Sequence, residues 1–478
     1  MNFDSLEFLI CFLPICLLFY WISVIKKKKN LAIYFLILFS LFFYAWFELK
    51  FLALIVGSVL FNYYFSYFFL NSRTKYKKKF LFLGIFINIL VLVIFKYSNF
   101  IILNINHLFN NDFIFLNLIF PLALSFYTLQ QITYLVDKYQ NFQIQISLKK
   151  YFLYVVFFPQ LVAGPIVLLN QISSQWDNIL KTKNIYESFF KGLFFISIGL
   201  LKKILISQKF SEIADLGFNN FENISFISAW ICSISFTLQF YFDFSAYSDI
   251  AVGLALLFNI KLPLNFNSPL KSLSVKDFWT RWHITLSNFI NHYMFIPTLK
   301  IFNKINLVKV ISSTIIIMAI IGLWHGPSLN YLVFGLLHGC ALGFNTFTSQ
   351  KKINLLPFNN QKIKNVISWF FTFIFINFTF IFFRSETFFQ ANELVMGLVG
   401  LNDFFAIDDL INYFKNSITP RIIMIFSMII FFNNSSQIIS KIKVNYANSI
   451  ILVLLFLSII YLIMYNSVYV NKFIYFNF

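Results

Sequence analysis

The chain has 478 residues, and its 37 Lys and Arg against 18 Asp and Glu give a net charge of +19. Because 59% of the residues are hydrophobic and only 12% are charged, there is too little polar sequence to cover soluble domains of this size. This excludes a soluble enzyme, a disordered scaffold and a nucleic-acid-binding protein of the ordinary kind. A bilayer-spanning helix needs about 20 apolar residues, so the sequence predicts an all-α polytopic membrane protein with about 10–12 transmembrane helices.

The N-terminal segment indicates how the chain is oriented in the membrane. Asp4 and Glu7 precede the first apolar run, which ends at Ile25, and the basic cluster Lys26–Lys29 follows it. A signal peptide carries its positive charge before the apolar run, so this segment is predicted to remain as a first helix. The basic end is expected in the cytoplasm and the N-terminus outside. Two more apolar runs lead to a second basic segment, residues 73–79, on the same predicted face.

Apolar runs separated by short polar stretches continue along the rest of the chain. None of the polar stretches is long enough to fold as a domain, so residues 1–478 are predicted to form a single membrane domain. The run at 150–169 is interrupted by Pro159, Gly164 and Pro165, which predicts a re-entrant or broken helix packed inside protein. The runs after the first are 31–47, 51–71, 80–97, 114–136, 150–169, 188–206, 225–242, 246–260, 307–324, 328–346, 365–383, 420–433 and 447–468.

His325 is the most informative histidine, because ionisable residues inside a membrane are costly and usually have a function. It ends one apolar run, and Gly326 and Pro327 after it must interrupt the helix. A break of this kind places a possible general base beside backbone N–H groups that could stabilise an oxyanion. The alternative is that His325 only hydrogen-bonds a neighbouring helix. His107, in the Asn-rich stretch 104–111, is expected to be solvated in an outer loop.

Residues 265–297 combine aromatic, basic and polar side chains. Arg281 and Trp282 precede His283, and an interfacial helix would explain the tryptophan and arginine without any catalysis. An interfacial helix explains less well why polar residues follow His283. On a helix His283, Ser287 and Asn291 would share one face, which predicts a polar stripe lining a water-accessible cavity.

Two carboxylates, Asp243 and Asp249, lie in an otherwise apolar stretch. Carboxylates in an apolar environment need cationic partners, and Arg281 or Lys276 is the predicted partner. Ion pairing between helices is favoured over direct catalysis. His283, Asp243 and Asp249 do not have the spacing of a metal site, so no metal is predicted.

Five passages together resemble one family. They are SFYTLQQITYLVDKY at 125–139, FFPQLVAGPI at 157–166, FYFDFSAYSDIAVGLALLFNIKLPLNFNSP at 240–269, DFWTRWHITLS at 277–287 and GLWHGPSLNYLVFGLLHG at 322–339. In this order they resemble the membrane-bound O-acyltransferase family, in particular its bacterial branch of alginate and peptidoglycan O-acetylation proteins and the D-alanyl-teichoic-acid transfer protein. The resemblance covers most of residues 121–340.

The resemblance implies a funnel-shaped multi-pass fold in the bacterial cytoplasmic membrane. It also implies that His325 is the catalytic histidine and His283 the second functional one, with Trp324 and Trp282 shaping the wall of the site. Where many relatives have Arg-Asp-Tyr, this chain has Asn-His-Tyr at 291–293, which puts any contact made by those two positions in doubt.

The resemblance further implies the reaction and its partners. No cofactor is bound, and the donor is acetyl-CoA or a carrier-protein thioester arriving from the cytoplasm. The acyl group is delivered outside to an envelope polysaccharide, commonly through a separate acetyltransferase of SGNH type. Two alternatives are D-alanyl transfer from a carrier protein to teichoic acid and, in another class, a lipid-linked-sugar flippase or transporter.

Overall fold

The computed structural model describes residues 1–70, 75–116, 118–141, 145–181, 184–356, 358–402, 433–465 and 473–474. Every regular element within these residues is a helix, which confirms the predicted all-α fold. Nine of the described helices are long and apolar enough to cross a membrane, which confirms a polytopic membrane protein. The predicted run at 420–433 lies almost wholly outside the described residues.

The chain divides into two compact units. The first comprises Met1–Leu200, Tyr247–Pro263 and Ile442–Asn477, and the second comprises chiefly Leu201–Ala246 and Leu264–Lys441. The candidate spans are α1 (Glu7–Ile25), α2 (Lys29–Phe47), α3 (Leu49–Leu70), α4 (Lys77–Phe109), α11 (Phe226–Leu257), α15 (Leu307–His325), α16 (Leu329–Gln350), α17 (Gln361–Arg384) and α20 (Tyr446–Tyr465). The other helices are α5 (Leu124–Gln140), α6 (Leu148–Val156), α7 (Phe158–Leu161), α8 (Leu169–Asp177), α9 (Ile185–Leu201), α10 (Gln208–Asn219), α12 (Val275–Arg281), α13 (Ile284–Phe289), α14 (Ile296–Lys300), α18 (Phe388–Leu398) and α19 (Ser435–Lys441).

The interruption predicted in the run at 150–169 is present in the first unit. Phe157 leaves the helical conformation at ψ 107° and separates α6 from the short α7. Pro159 lies in the first turn of α7, where its missing N–H costs no hydrogen bond. A Cβ atom on Gly164 would collide with the backbone of Gln160, so only glycine fits this turn. The broken helix is therefore confirmed.

Two predicted boundaries are wrong in the region before the site. The runs at 225–242 and 246–260 form one continuous helix, α11, because the polar residues between them include neither proline nor glycine. In the run at 114–136, the helix begins only at Leu124, since Pro121 cannot donate a backbone bond and Ala123 has a positive φ of 64°.

The Asn-rich stretch also differs from its prediction. α4 continues through it to Phe109, and Asn110, with φ 50°, ends the helix in the left-handed conformation. His107 is exposed as expected, but it lies in the last turn of this helix and not in a loop.

Close packing of α15 against α16 positions the break between them in the second unit. Gly335, Gly339 and Gly343 recur every fourth residue along α16. A Cβ on Gly335 would collide with the carbonyl oxygen of Met318, and one on Gly322 with that of Tyr331. Small residues at this spacing let two membrane helices approach closely. The hairpin therefore holds residues 325–328 in a defined position.

Candidate active site

His325 is the last residue of α15 and lies where the chain leaves the helix. Gly326 is extended, and a Cβ on it would collide with the ring of Tyr331. Ser328 starts α16, and its Oγ accepts a hydrogen bond from the backbone N–H of Asn330 at 3.2 Å. The predicted helix interruption is thus present, with Pro327 exposed beside it.

Two backbone N–H groups at the break already have acceptors within the turn. Gly326 N–H already donates to Leu323 O at 3.1 Å, and Ser328 N–H donates to Gly326 O at 3.0 Å. Pro327 has no N–H to offer. The chain closes a tight turn here, and the N–H groups of Gly326 and Ser328 are engaged within it.

Aromatic rings surround the His325 imidazole. The ring centroid lies 4.9 Å from that of Trp324, 5.1 Å from that of Phe383 and 6.3 Å from that of Phe334. His325 keeps only 4% of its surface exposed, and Trp324 is buried with it. The imidazole therefore lies in an apolar environment, one residue from the break and two residues from the exposed Pro327.

His283 is fully buried and precedes α13 with a left-handed φ of 44°. Its Nδ1 lies 3.1 Å from Asn265 Oδ1, which also accepts hydrogen bonds from Thr285 N at 3.2 Å and Thr285 Oγ1 at 2.9 Å. Because a backbone N–H must meet an acceptor, Asn265 presents its oxygen here, and Nδ1 of His283 carries the hydrogen. The lone pair is then on Nε2.

Burial lowers the pKa of His283 to about 3, so its imidazole is neutral at ordinary pH. A neutral ring protonated at Nδ1 can accept a proton or a hydrogen bond at Nε2, and it cannot donate one there. This geometry suits a positioning or proton-accepting residue better than a donor to an oxyanion. Asn265, which sets this tautomer, was not identified from the sequence, because 18 residues separate it from His283.

One aromatic cluster contains both histidines. Trp282 is buried and stacks on Phe278 with ring centroids 5.4 Å apart and an interplanar angle of 17°. Successive ring contacts lead from His283 to His325: His283 to Phe244 (4.8 Å), Phe244 to Trp282 (6.3 Å), Trp282 to Phe240 (5.2 Å), Phe240 to Phe383 (4.8 Å) and Phe383 to His325 (5.1 Å). The structure thus brings His325, Trp324, His283 and Trp282 into one region of the second unit.

The predicted partner of Asp243 is wrong. Arg281 Nε donates to Asp277 Oδ1 at 2.7 Å within α12. Asp243 instead pairs with Lys203 at 2.7 Å, and both side chains are almost completely buried. The interhelical ion pair expected for Asp243 exists, but its cation comes from the π-helical segment Lys202–Ser207 before α10, whose lysines were not among the predicted partners.

The remaining predicted residues do not form the expected stripe. Ser287 Oγ donates to Trp279 O at 2.8 Å, which ties α13 back to α12. Asn291 is exposed in a π-helical turn, Ile290–Phe295, that changes the angular register after α13. Since His283 lies before the first turn of α13, the three polar residues do not line one helical face. Asp249 is half-buried in the part of α11 that belongs to the first unit.

His338 connects three helices of the second unit. Its Nδ1 accepts a hydrogen bond from Trp279 Nε1 at 3.1 Å, and its Nε2 donates to Thr379 Oγ1 at 3.1 Å. The Thr379 hydroxyl donates onward to Ile376 O at 3.0 Å, which fixes this tautomer of the histidine. His338 therefore holds α12 against α16 and α17, and it supports the segment that carries His283.

Replacing Trp279 by phenylalanine is expected to lower the free energy of unfolding by about 1–3 kcal/mol, because Nδ1 of the buried His338 loses its donor. Thermal unfolding of the purified protein in detergent measures the change. The matched control is Trp369→Phe, which removes an indole hydrogen bond to Leu270 O at a half-buried position. Equal losses in the two variants would contradict a special role for the bond to His338.

A cavity of about 530 Å³ lies at the start of α12 and the end of α16. Two exposed lysines, Lys276 and Lys352, contribute positive charge to its wall. Lys276 N–H donates to Asn345 Oδ1 at 3.1 Å, which joins α12 to α16 at this point. The remaining lining residues are Ser274, Thr348, Ser349, Ile353 and Asn354. The cavity therefore adjoins the short helix that leads to Trp282 and His283.

Comparison with known proteins gives a consistent picture. A family model described as the membrane-bound O-acyltransferase family matches residues 8–385. The chain is 40% identical over 427 residues to the peptidoglycan O-acetyltransferase of Helicobacter pylori, a match that covers 84% of this chain and 80% of that protein. It is 32% identical over 411 residues to the probable alginate O-acetylase of Pseudomonas syringae, covering 84% of this chain and 76% of the relative.

A third relative differs in the acyl group named for it. The teichoic acid D-alanyltransferase of Bacillus subtilis is 25% identical over 280 residues, which cover 57% of this chain and 70% of that protein. The family match includes every residue of the aromatic cluster around His283 and His325. The chain belongs to the membrane-bound O-acyltransferase family and is an O-acyltransferase enzyme of a multi-pass membrane type.

Proposed function

We propose that this enzyme transfers an acetyl group from a cytoplasmic thioester to a hydroxyl group outside the bacterial cytoplasmic membrane, as one step in the O-acetylation of an envelope polysaccharide. The observation that carries the proposal is His325 at the end of α15, buried among aromatic rings yet two residues from the exposed Pro327. The relatives named for peptidoglycan and alginate O-acetylation support the acetyl group and the polysaccharide. The orientation with the N-terminus outside is part of the proposal and follows the positions of the basic segments.

His325 is the proposed general base. It takes the proton of the acceptor hydroxyl while the hydroxyl oxygen attacks the thioester carbonyl. The carbon–sulfur bond then breaks, the acetyl group remains on the acceptor as an ester, and the thiolate receives the proton from His325. This step requires the neutral form of the imidazole. Trp324 and Phe383 keep bulk water from the reacting atoms.

His283 is the proposed positioning residue. With the hydrogen on Nδ1 held by Asn265, its Nε2 can accept a hydrogen bond from the donor or acceptor. Trp282, the residue before His283, stacks on Phe278 and forms part of the wall of the proposed site. Asn291 and His292 are exposed, whereas the cluster is buried, so the departure from the Arg-Asp of many relatives leaves the buried cluster itself unchanged.

Acetyl-CoA is the proposed donor, and the basic cavity is its proposed entry. The phosphates of such a donor are anions, and Lys276 and Lys352 offer positive charge at the cavity that adjoins α12. The thin pantetheine arm could extend from there towards the histidines while the nucleotide stays in the cytoplasm.

Replacing Lys276 and Lys352 together by alanine is expected to raise KM for acetyl-CoA about threefold to tenfold, because each exposed charge is worth up to about 1 kcal/mol. The effect should shrink at high salt, which screens exposed charges. Initial rates at varied acetyl-CoA concentration measure the change. Lys351→Ala, at an exposed neighbour outside the cavity wall, is the matched control. An unchanged KM in the double variant would contradict this entry.

Incubation of inside-out membrane vesicles with radiolabelled acetyl-CoA tests the proposed function directly. Label linked by an ester to envelope polysaccharide is expected. Ester label on an SGNH-type partner protein would make that partner the intermediate carrier. Label that binds without turnover would favour a transporter and contradict the proposal.

D-alanyl transfer from a carrier protein is the second candidate. It is favoured by the relative from Bacillus subtilis, but that match is weaker and shorter than the matches to the two O-acetylation proteins. Incorporation of D-alanine rather than acetate in the same vesicles would replace the proposal with this candidate.

A further inference from the structure

A long stretch of the second unit contains lysines but no acidic residues. Between Asp277 and Glu386 the sequence has no aspartate and no glutamate. The seven lysines of this stretch, here called the basic rim, are Lys300, Lys304, Lys309, Lys351, Lys352, Lys362 and Lys364. Among the described residues, none of the seven forms an ion pair. Their positive charge is therefore available to a partner outside the chain.

The close packing of α15 against α16 shows which of their ends lie together. Near the end of α16, Gly343 packs against Ile311 of α15. Closer to the break, Gly335 packs against Met318. The two helices are therefore antiparallel, and the start of α15 lies beside the end of α16. The lysines before and at the start of α15 and those after α16 are thus at the same end of the hairpin.

α17 brings its lysines to this end as well. The backbone oxygen of Ser385, just after α17, accepts a hydrogen bond from Asn330 in the first turn of α16 at 2.9 Å. Further along both helices, Thr379 Oγ1 lies 3.1 Å from His338 Nε2. α17 therefore runs antiparallel to α16, and Lys362 in its first turn lies at the end where α16 stops. All seven lysines share one end of these three helices.

Exposed apolar side chains lie between the lysines of the basic rim. Ile301 is 77% exposed and Val308 is 72% exposed, and these two residues flank Lys304 in the sequence. The other exposed apolar residues of this end are Ile305, Ile353, Leu355, Phe358 and Ile363. Contact of such side chains with water is unfavourable. The headgroup region of a bilayer, by contrast, accepts apolar side chains that lie among cationic ones.

The position of these residues along the helices places them at the membrane surface. α15 and α17 are long and apolar enough to cross a bilayer, and they begin at Leu307 and Gln361. Residues 300–306 and 358–360 precede these spans directly, so they lie at the level of the lipid headgroups. Lysine side chains at this level bury their methylene groups and extend their ammonium groups to the phosphates.

We propose that the basic rim and the apolar side chains between its lysines form a docking surface for anionic phospholipids, whose headgroup phosphates the lysines bind. The lysines attract a lipid of net negative charge, whereas a zwitterionic headgroup carries its own cation. Orientation of the chain alone requires basic loops, but it does not require the exposed apolar side chains that accompany them. The other end of the same helices differs, because Arg384 there pairs with Asp215 and Glu386 is exposed.

The lipids that stay bound to the enzyme test this inference. The full-length enzyme is reconstituted in nanodiscs that contain equal amounts of phosphatidylglycerol and phosphatidylcholine with the same acyl chains. The protein is then released in mild detergent, and mass spectrometry counts the lipids that remain bound. Bound phosphatidylglycerol is expected to exceed bound phosphatidylcholine at least about threefold, and release at high salt should reduce this excess.

The basic rim is tested by combining Lys300→Gln, Lys304→Gln and Lys362→Gln. These three lysines are exposed, and they lie outside the cavity wall, to which Lys352 belongs. The variant should therefore keep the thermal unfolding temperature of the parental enzyme and lose most of the phosphatidylglycerol excess. Arginine at the same three positions keeps the charge, so the arginine variant should retain the excess.

A matched control removes the same number of charges from the first unit. Lys26→Gln, Lys27→Gln and Lys28→Gln together replace three exposed lysines there. Most of the phosphatidylglycerol excess should remain in this control, because the basic rim is intact.

Three results would overturn the inference: no phosphatidylglycerol excess in the parental enzyme, an excess that survives in the glutamine variant of the rim, or equal losses in that variant and in the control. If the parental nanodiscs show no excess but bind an acidic acyl carrier protein that the rim variant does not bind, a protein occupies the surface instead of lipid, and the inference is overturned as well. The inference does not use the reaction at His325, so its failure leaves the vesicle test of the proposed function unaffected.

Discussion

Replacing His325 by alanine is expected to reduce the rate of acetyl transfer by about 10²–10⁴-fold, the usual contribution of a general base. The loss should be in kcat, with little change in KM for acetyl-CoA, because the imidazole acts on the acceptor hydroxyl and the proposed donor entry is at the lysine cavity. Purified enzyme assayed with acetyl-CoA and an alcohol acceptor measures both constants.

Two controls separate this effect from a loss of folding. His325→Gln keeps much of the side-chain volume against Phe383 and should be as inactive as the alanine variant, since an amide is not a base. His107→Ala changes an exposed histidine of the first unit and should retain full activity. A His325→Ala enzyme that transfers acetyl groups at the parental rate would remove the basis of the mechanism.

Breaking the ion pair between Lys203 and Asp243 is expected to have the largest effect on stability. The side chains are 3% and 2% exposed, and the Asp243 carboxylate also accepts a hydrogen bond from Ser207 Oγ at 3.2 Å. Removal of one member of such a pair leaves an uncompensated buried charge, which costs about 3–5 kcal/mol. Lys203→Met and Asp243→Leu should each lower the thermal unfolding temperature strongly, or prevent accumulation in the membrane.

The double variant provides the decisive comparison. Lys203→Met combined with Asp243→Leu removes both charges and should recover part of the stability lost in either single variant. The control pair Lys209 and Glu212 lies in the same unit at 2.9 Å but is exposed at 52% and 36%, so breaking it should cost less than about 1 kcal/mol. Additive losses in the Lys203 and Asp243 double variant would contradict a coupled buried pair.

Features set by local chemistry were predictable from the sequence. Proline cannot continue a helix from its interior, so the breaks before Pro159 and after His325, where Pro327 follows, were predictable from local sequence. The all-α membrane fold followed from the length of the apolar runs. The same reasoning failed between 242 and 246, where polar residues without a helix breaker did not end α11.

Features set by distant partners were not predictable. Lys203 is 40 residues from Asp243, and the charge pattern gave no reason to prefer it over Arg281, which instead pairs within its own helix. The tautomer of His283 depends on Asn265, and the role of His338 depends on Trp279 and Thr379. Periodicity cannot reveal such contacts, because they arise only when separate helices pack together.

Mass spectrometry of envelope polymers tests the central claim most directly. A strain that lacks this gene is complemented with either the parental enzyme or the His325→Ala variant, and O-acetyl esters on its envelope polysaccharides are counted. We expect the esters to return with the parental enzyme and to stay absent with the variant present at an equal level in the membrane. Esters restored equally by both proteins, or unaffected by loss of the gene, would contradict the proposal that His325 drives acetyl transfer to the cell envelope.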